Sequence, residues 1–273
     1  MKRFNYYKPS LSEAWKLVVV LMVGMVLIGG ILSFIWKDAP EMVVYGVSML
    51  VPILYALFKG GRRLAGGAKP FPVEHTDLGG IRPLPYAILL AVAMVAIVFL
   101  MDPATAFIPM PDFFKRIFEE AFVNKETWDL VLSTCILAPL FEELLCRGII
   151  LRGLLANGLS ARSAILWSAF FFAFIHFNPW QSIPAFAIAI FFGWIYWRTG
   201  SLLSTIALHA LNNSISCIIT GLFPDMSVDT SFFELMPTGL YIVFYIAALA
   251  LLFMAVSLLD RKLPESCIKN STL

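Results

Sequence analysis

Eight stretches of this chain are apolar over roughly the length that a membrane helix needs. They run Ala14 to Trp36, Met42 to Phe58, Leu84 to Met101, Trp128 to Leu151, Ser163 to Phe177, Ile183 to Trp197, Leu202 to Leu222 and Gly239 to Leu259. About 20 predominantly apolar residues span the hydrocarbon core of a bilayer as an α-helix. The fifth and sixth stretches are short and their ends are loosely marked. The pattern predicts an all-α fold, a polytopic membrane helix bundle of about eight transmembrane helices, in one integral-membrane domain over residues 1–273. Composition agrees: 60% of the 273 residues are hydrophobic and 14% charged, against about a quarter charged in soluble chains. Mean hydropathy is +0.83. A net charge of +2 gives no basis for a nucleic-acid partner; the partner implied is the lipid bilayer.

Charge alternates along the connections. Lys2, Arg3 and Lys8 precede the first stretch, and Lys59, Arg62, Arg63, Lys69 and Arg82 outnumber Glu74 and Asp77 in the second connection. Arg152 and Arg162 mark the fourth connection, Arg198 the sixth, and Arg261, Lys262 and Lys269 the tail. The third connection is mixed and slightly acidic, and the seventh carries Asp225, Asp229 and Glu234 with no base. Positive residues favour the cytoplasmic side, so an even number of spans in the inner membrane, with both termini in the cytoplasm, is expected. The Asn270-Ser271-Thr272 sequon then lies in the cytoplasm and is discounted. The first stretch is too long for a signal-peptide core and lacks a small-residue exit. Cys135, Cys146, Cys217 and Cys267 form no C-x-x-C pair and read as reduced packing residues. Residues 60–80, rich in Gly and Pro, read as a loop. Asp112 to Val123 carries phenylalanines on one helical face and charges on the other, which fits a helix lying in the outer interface or capping the bundle.

Within the apolar stretches stand three polar clusters: Glu142, Glu143 and Arg147; His176; and His209 with Asn213. A charge at the bilayer centre costs a few kcal/mol by insertion scales. Each cluster has a plain structural explanation. Glu143 and Arg147, four apart on one face, could be a buried pair joining helices; His176, four after Phe172, could be a satisfied packing residue; His209 and Asn213 could be interhelical glue. A second carboxylate beside a Glu–Arg pair weakens the first explanation. Adjacent carboxylates point about 100° apart, so one can pair with Arg147 while the other faces elsewhere. Pro139, one turn earlier, can open the helix to water. At about 1.5 Å per residue the three clusters fall in one slab of the membrane, roughly 10 to 20 Å from the cytoplasmic ends. If the helices pack together, the slab becomes one cavity holding a base, an orienting imidazole and oxyanion donors, enough to turn water on a carbonyl.

The three clusters read as EExxxR (Glu142 to Arg147), FxxxH (Phe172 to His176) and HxxxN (His209 to Asn213), with Ala138-Pro139 as lead-in. In order and spacing they resemble the CAAX-protease and bacteriocin-processing family of intramembrane proteases, which includes the eukaryotic Ras-converting endopeptidase. The likeness covers Ala138 to Asn213. It implies an intramembrane endopeptidase acting on a membrane-associated peptide or protein. Glu142 would be the base that activates water, with His176 orienting or sharing that proton. His209 and Asn213 would stabilise the oxyanion, and Glu143 with Arg147 would hold the helix. The resemblance leaves the metal question open, because two His and a Glu can also bind zinc with an open position. Glu142, His176 and His209 are the candidate ligands. Asn213 beside His209 suits an oxyanion role better, so no cofactor is the expected state, with zinc as the alternative. Two further readings are a transporter or proton relay and a non-catalytic immunity or scaffold protein. The transporter reading finds no paired broken helices or inverted repeat in the sequence.

Overall fold

The computed structural model describes residues 2–116, 127–223, 226–227 and 229–266, among which there is no strand. Eight long helices follow one another among those residues. They are α1 (Leu11–Ile35), α2 (Glu41–Ala65), α3 (Pro83–Ala106), α4 (127–156), α5 (Ala161–Phe174), α6 (Pro179–Thr199), α7 (Leu202–Leu222) and α8 (Thr238–Lys262). Each lies on one of the eight apolar stretches. α1, α2, α7, α8 and Pro83–Pro103 of α3 are each long and apolar enough to cross a membrane, and α5 is a shorter apolar helix. Large apolar side chains such as Val26, Phe34, Phe58, Leu222 and Phe253 point outward, as they must where the surroundings are acyl chains. The molecule is thus an all-α polytopic bundle.

Two boundaries differ from the sequence expectation for local reasons. α2 continues to Ala65, into the segment expected to be a loop. Gly60 there is a packing glycine, since a Cβ in its place would meet the Arg3 carbonyl oxygen at 2.1 Å. Arg63 ties that end of α2 to α1 through Glu13 at 2.7 Å. α5 stops at Phe174, three residues short of the expected end. Asn178 precedes Pro179 and is therefore pushed to extended backbone, at φ −145° and ψ 145°. Phe177 turns the chain with φ 57°, a left-handed conformation unusual for a bulky residue. The helix expected over Asp112 to Val123 is present over 112–116, and its remainder lies outside the described residues.

α4 is irregular in a particular way. Its α-helical turn Ala138–Glu143 is flanked by two π-helical stretches, Val131–Leu137 and Leu144–Leu151. The disruption expected around Pro139 takes this form. π-Helical turns recur at functional sites, and here they bracket both glutamates.

The two larger of four buried apolar clusters among the described residues hold the bundle. One joins α1, α2, α4 and α5 through residues such as Leu17, Met49, Ile149 and Phe171; the other joins α3, α6, α7 and α8 through Met94, Phe192, Leu208 and Leu259. Helix ends are fixed by side chains from distant elements, which satisfies the free N–H groups of a helix start. The Asp129 carboxylate of α4 accepts from the backbone N–H of Glu41 (2.6 Å) and Met42 (2.8 Å) at the start of α2. Glu74 accepts from Leu202 and Leu203 at the start of α7. Arg152, fully buried, donates to the carbonyls of Gly148, Phe4, Tyr7, Asn5 and Phe71, and so holds the N-terminal turn against α4.

Candidate functional site

The regular turn of α4 sends its adjacent glutamates in different directions, as their angular offset requires. Glu143 is fully buried, and its Oε1 accepts from Arg147 at 2.9 Å and lies 3.1 Å from His209 Nδ1. A carboxylate accepts only, so that ring nitrogen carries the proton. Arg147, equally buried, also donates to the Ala189 carbonyl of α6 at 3.2 Å and stacks over Phe172 and Phe192, 4.6 and 5.3 Å from the ring centres. A guanidinium so enclosed persists only with such partners. Glu143 and Arg147 therefore bind α4, α5, α6 and α7 together behind the site.

Glu142 faces the other way, into a cavity of about 550 Å³. Its Oε2 lies 3.9 Å from His209 Nε2, and its Oε1 accepts from the Tyr45 hydroxyl of α2 at 2.9 Å. His176 also lines the cavity. It sits in the turn beyond α5, not on the helix face expected for it, because the chain has already left the helix at Phe174. Its Nδ1 is 2.8 Å from the Phe172 carbonyl, which leaves Nε2 as a free acceptor in the neutral ring. Asn178 steadies that turn by donating to the His176 carbonyl at 2.8 Å. Phe172 touches the rings of both His176 and His209, with centroids 5.2 and 5.4 Å away.

Asn213 lines the same cavity one turn beyond His209. One hydrogen of its amide is given to the Thr134 carbonyl at 2.8 Å, and its oxygen accepts from Asn212 at 3.0 Å. A primary amide has two N–H donors, so a second one remains. Glu142 of α4, His176 of the turn beyond α5, and His209 and Asn213 of α7 thus line one cavity, while Glu143 and Arg147 stand behind it. Packing of the helices brings the polar residues of the three motifs to one cavity.

Tyr45 was not foreseen as a site residue. It lies in an apolar span far from the three motifs, and its only signal is that a buried phenol needs a partner. Asp129 was missed as well; it fixes the start of α2 and so the position of Tyr45. Glu142, His176 and His209, the candidate zinc ligands, all line this cavity. Among the described residues no three His, Cys, Asp or Glu side chains group as metal ligands do.

The family model described as Type II CAAX prenyl endopeptidase Rce1-like matches residues 124–215, about a third of the chain. All three motifs fall within that segment, and the resemblance read from them is borne out there. No curated protein and no solved structure matches the chain. Family and apolar helices together make this an integral membrane protein with a protease's signature.

Proposed function

We propose that the protein is an intramembrane endopeptidase that hydrolyses a peptide bond of a membrane-associated peptide or protein, in the manner of the CAAX-type endopeptidases. The observation that carries this reading is the convergence of Glu142, His176, His209 and Asn213 on one cavity, reached from three separate motifs. A water in that cavity loses its proton to Glu142 as it attacks the carbonyl carbon. Tyr45 holds the other carboxylate oxygen, so the basic oxygen points into the cavity. His176 Nε2 accepts a hydrogen bond from the same water and orients it. The oxyanion is met by the second amide N–H of Asn213 and by His209 Nε2–H, with His209 held as the doubly protonated imidazolium between Glu142 and Glu143. Glu143, bonded to His209 Nδ1–H, stabilises the positive charge that this ring carries throughout, the service that a carboxylate renders to a catalytic histidine. Protonated Glu142 then gives its proton to the leaving amine.

We take the reaction to need no metal, because the Asn213 amide beside His209 suits an oxyanion better than a cation. The basic segments at one end of the bundle support an inner-membrane protein with both termini in the cytoplasm. The test is cleavage of a quenched-fluorescent peptide by the purified protein in lipid vesicles. Glu142→Gln and His176→Ala should each abolish turnover while the melting temperature stays near that of the native protein. Undiminished cleavage by both variants rejects the mechanism.

A further inference from the structure

Two side-chain amides that line the cavity have their orientation fixed by backbone groups, and neither takes part in activating the water. Gln181, in the first turn of α6, is one of them. Its backbone N–H donates to Asn178 Oδ1 at 2.9 Å. A backbone N–H can only donate, so the other end of the Asn178 amide is the nitrogen, Nδ2. That Nδ2 gives its two hydrogens to the His176 carbonyl and to Gln181 Oε1, both at 2.8 Å. The Gln181 oxygen is thereby turned to Asn178. Its Nε2, with two N–H donors and no partner among the described residues, is the end left for a ligand.

Asn212, on α7, is the other. Asn213 Nδ2 donates to the Thr134 carbonyl, so Asn213 Oδ1 is the acceptor in its bond from Asn212 Nδ2 at 3.0 Å. Asn212 Oδ1 is left as an acceptor without a partner among the described residues. The two open groups differ in kind. Gln181 offers donors from the network that holds the His176 turn, and Asn212 offers an acceptor beside Asn213. A donor and an acceptor on two walls of one cavity are what a polypeptide main chain satisfies, since each residue brings one C=O and one N–H. A helix has already spent those groups on itself, so the segment that fits is extended. We infer that the substrate is held in the cavity by its main chain, as an extended peptide segment, with one carbonyl accepting from Gln181 Nε2–H and one N–H donating to Asn212 Oδ1. Gln181 and Asn212 are then substrate-binding residues that select an unwound backbone. This rests on the endopeptidase reading for the cleavage step, but not for binding.

Two measurements on the full chain in lipid vesicles test it. Gln181→Glu keeps the oxygen that Asn178 holds and deletes the donors. Its KM for a quenched-fluorescent peptide should rise about tenfold, the ordinary loss when a polar partner is left unmet, with kcat and melting temperature near their native values. The second measurement offers the same peptide with one amide N-methylated at a time, which removes one N–H donor in each version. At one position away from the scissile bond kcat/KM should fall about tenfold or more. That loss should shrink in Asn212→Leu, while losses at the other positions stay as they were. An unaltered KM in Gln181→Glu, or a scan that Asn212→Leu leaves unchanged at every position, overturns the inference and leaves the endopeptidase reading intact. If no peptide is cut, fluorescence anisotropy of the labelled peptide decides. Binding weakened about tenfold in Gln181→Glu sustains the inference while the endopeptidase reading fails, and binding that is absent or unweakened sinks both.

Discussion

Glu142 and Glu143 are adjacent in sequence and opposite in surroundings, and that contrast makes them separable by experiment. Removing Glu143 strips Arg147 of its buried counter-charge. Glu143→Ala should lower stability by about 3–5 kcal/mol, the usual result of orphaning a buried partner, read as an earlier thermal unfolding in detergent. Glu142→Ala loses one hydrogen bond from Tyr45 and opens onto the cavity, so its unfolding should shift far less while turnover disappears. Tyr45→Phe keeps the ring and removes the hydroxyl. The carboxylate then rotates more freely, and kcat should fall about tenfold with KM unchanged, since misplacement at a reacting group acts on the chemical step. A change confined to KM would assign Tyr45 to substrate contact instead. Asn213→Ala should cost about 10²–10³ in kcat, the typical loss for one oxyanion donor. The motif residues were legible in sequence because ionisable groups have few reasons to enter an apolar span. Tyr45 was not, because a tyrosine in such a span looks like any packing aromatic until its neighbour across the bundle is known.

At the level of helices, apolar length located all eight. What length cannot give is the local backbone. The π-helical stretches of α4 leave no mark in hydropathy, because they change hydrogen-bond spacing and not composition. The end of α5 did have a mark, the Asn178-Pro179 step, which stops a helix before the apolar run is over. Two contacts between helices invite direct tests. Asp129 caps α2 from α4, and Asp129→Ala should destabilise by about 0.5–2 kcal/mol, as lost N-caps do, and should reduce turnover as well, since Tyr45 lies one turn further along α2. The Cys135 and Cys217 sulfurs are 3.5 Å apart across α4 and α7. A mild disulfide-exchanging oxidant should therefore link peptides containing these two residues, seen by mass spectrometry. Failure to form that link would contradict the packing of α7 against the first π-helical stretch.

Across the whole molecule, the alternation of charge along the connections was visible in the sequence, but the place of the cavity was not. Only the packing reveals to which end the cavity belongs, because its walls are scattered over six helices between Glu41 and Cys217. The matched family segment, by contrast, contains neither α2 nor α3, so part of the cavity wall is outside what the motifs describe. The opposite end has its own integrator in Arg152, whose guanidinium gathers carbonyl oxygens from the N-terminal turn, from the connection after α2 and from α4 itself. One practical outcome concerns how the protein is handled. A purification handle fused directly ahead of Phe4, or deletion of residues 2–7, withdraws the oxygens that keep this cation at ease away from water. Such preparations should show poorer yield and earlier aggregation than ones carrying the handle after the last helix, a difference readable by size-exclusion chromatography before any assay is run.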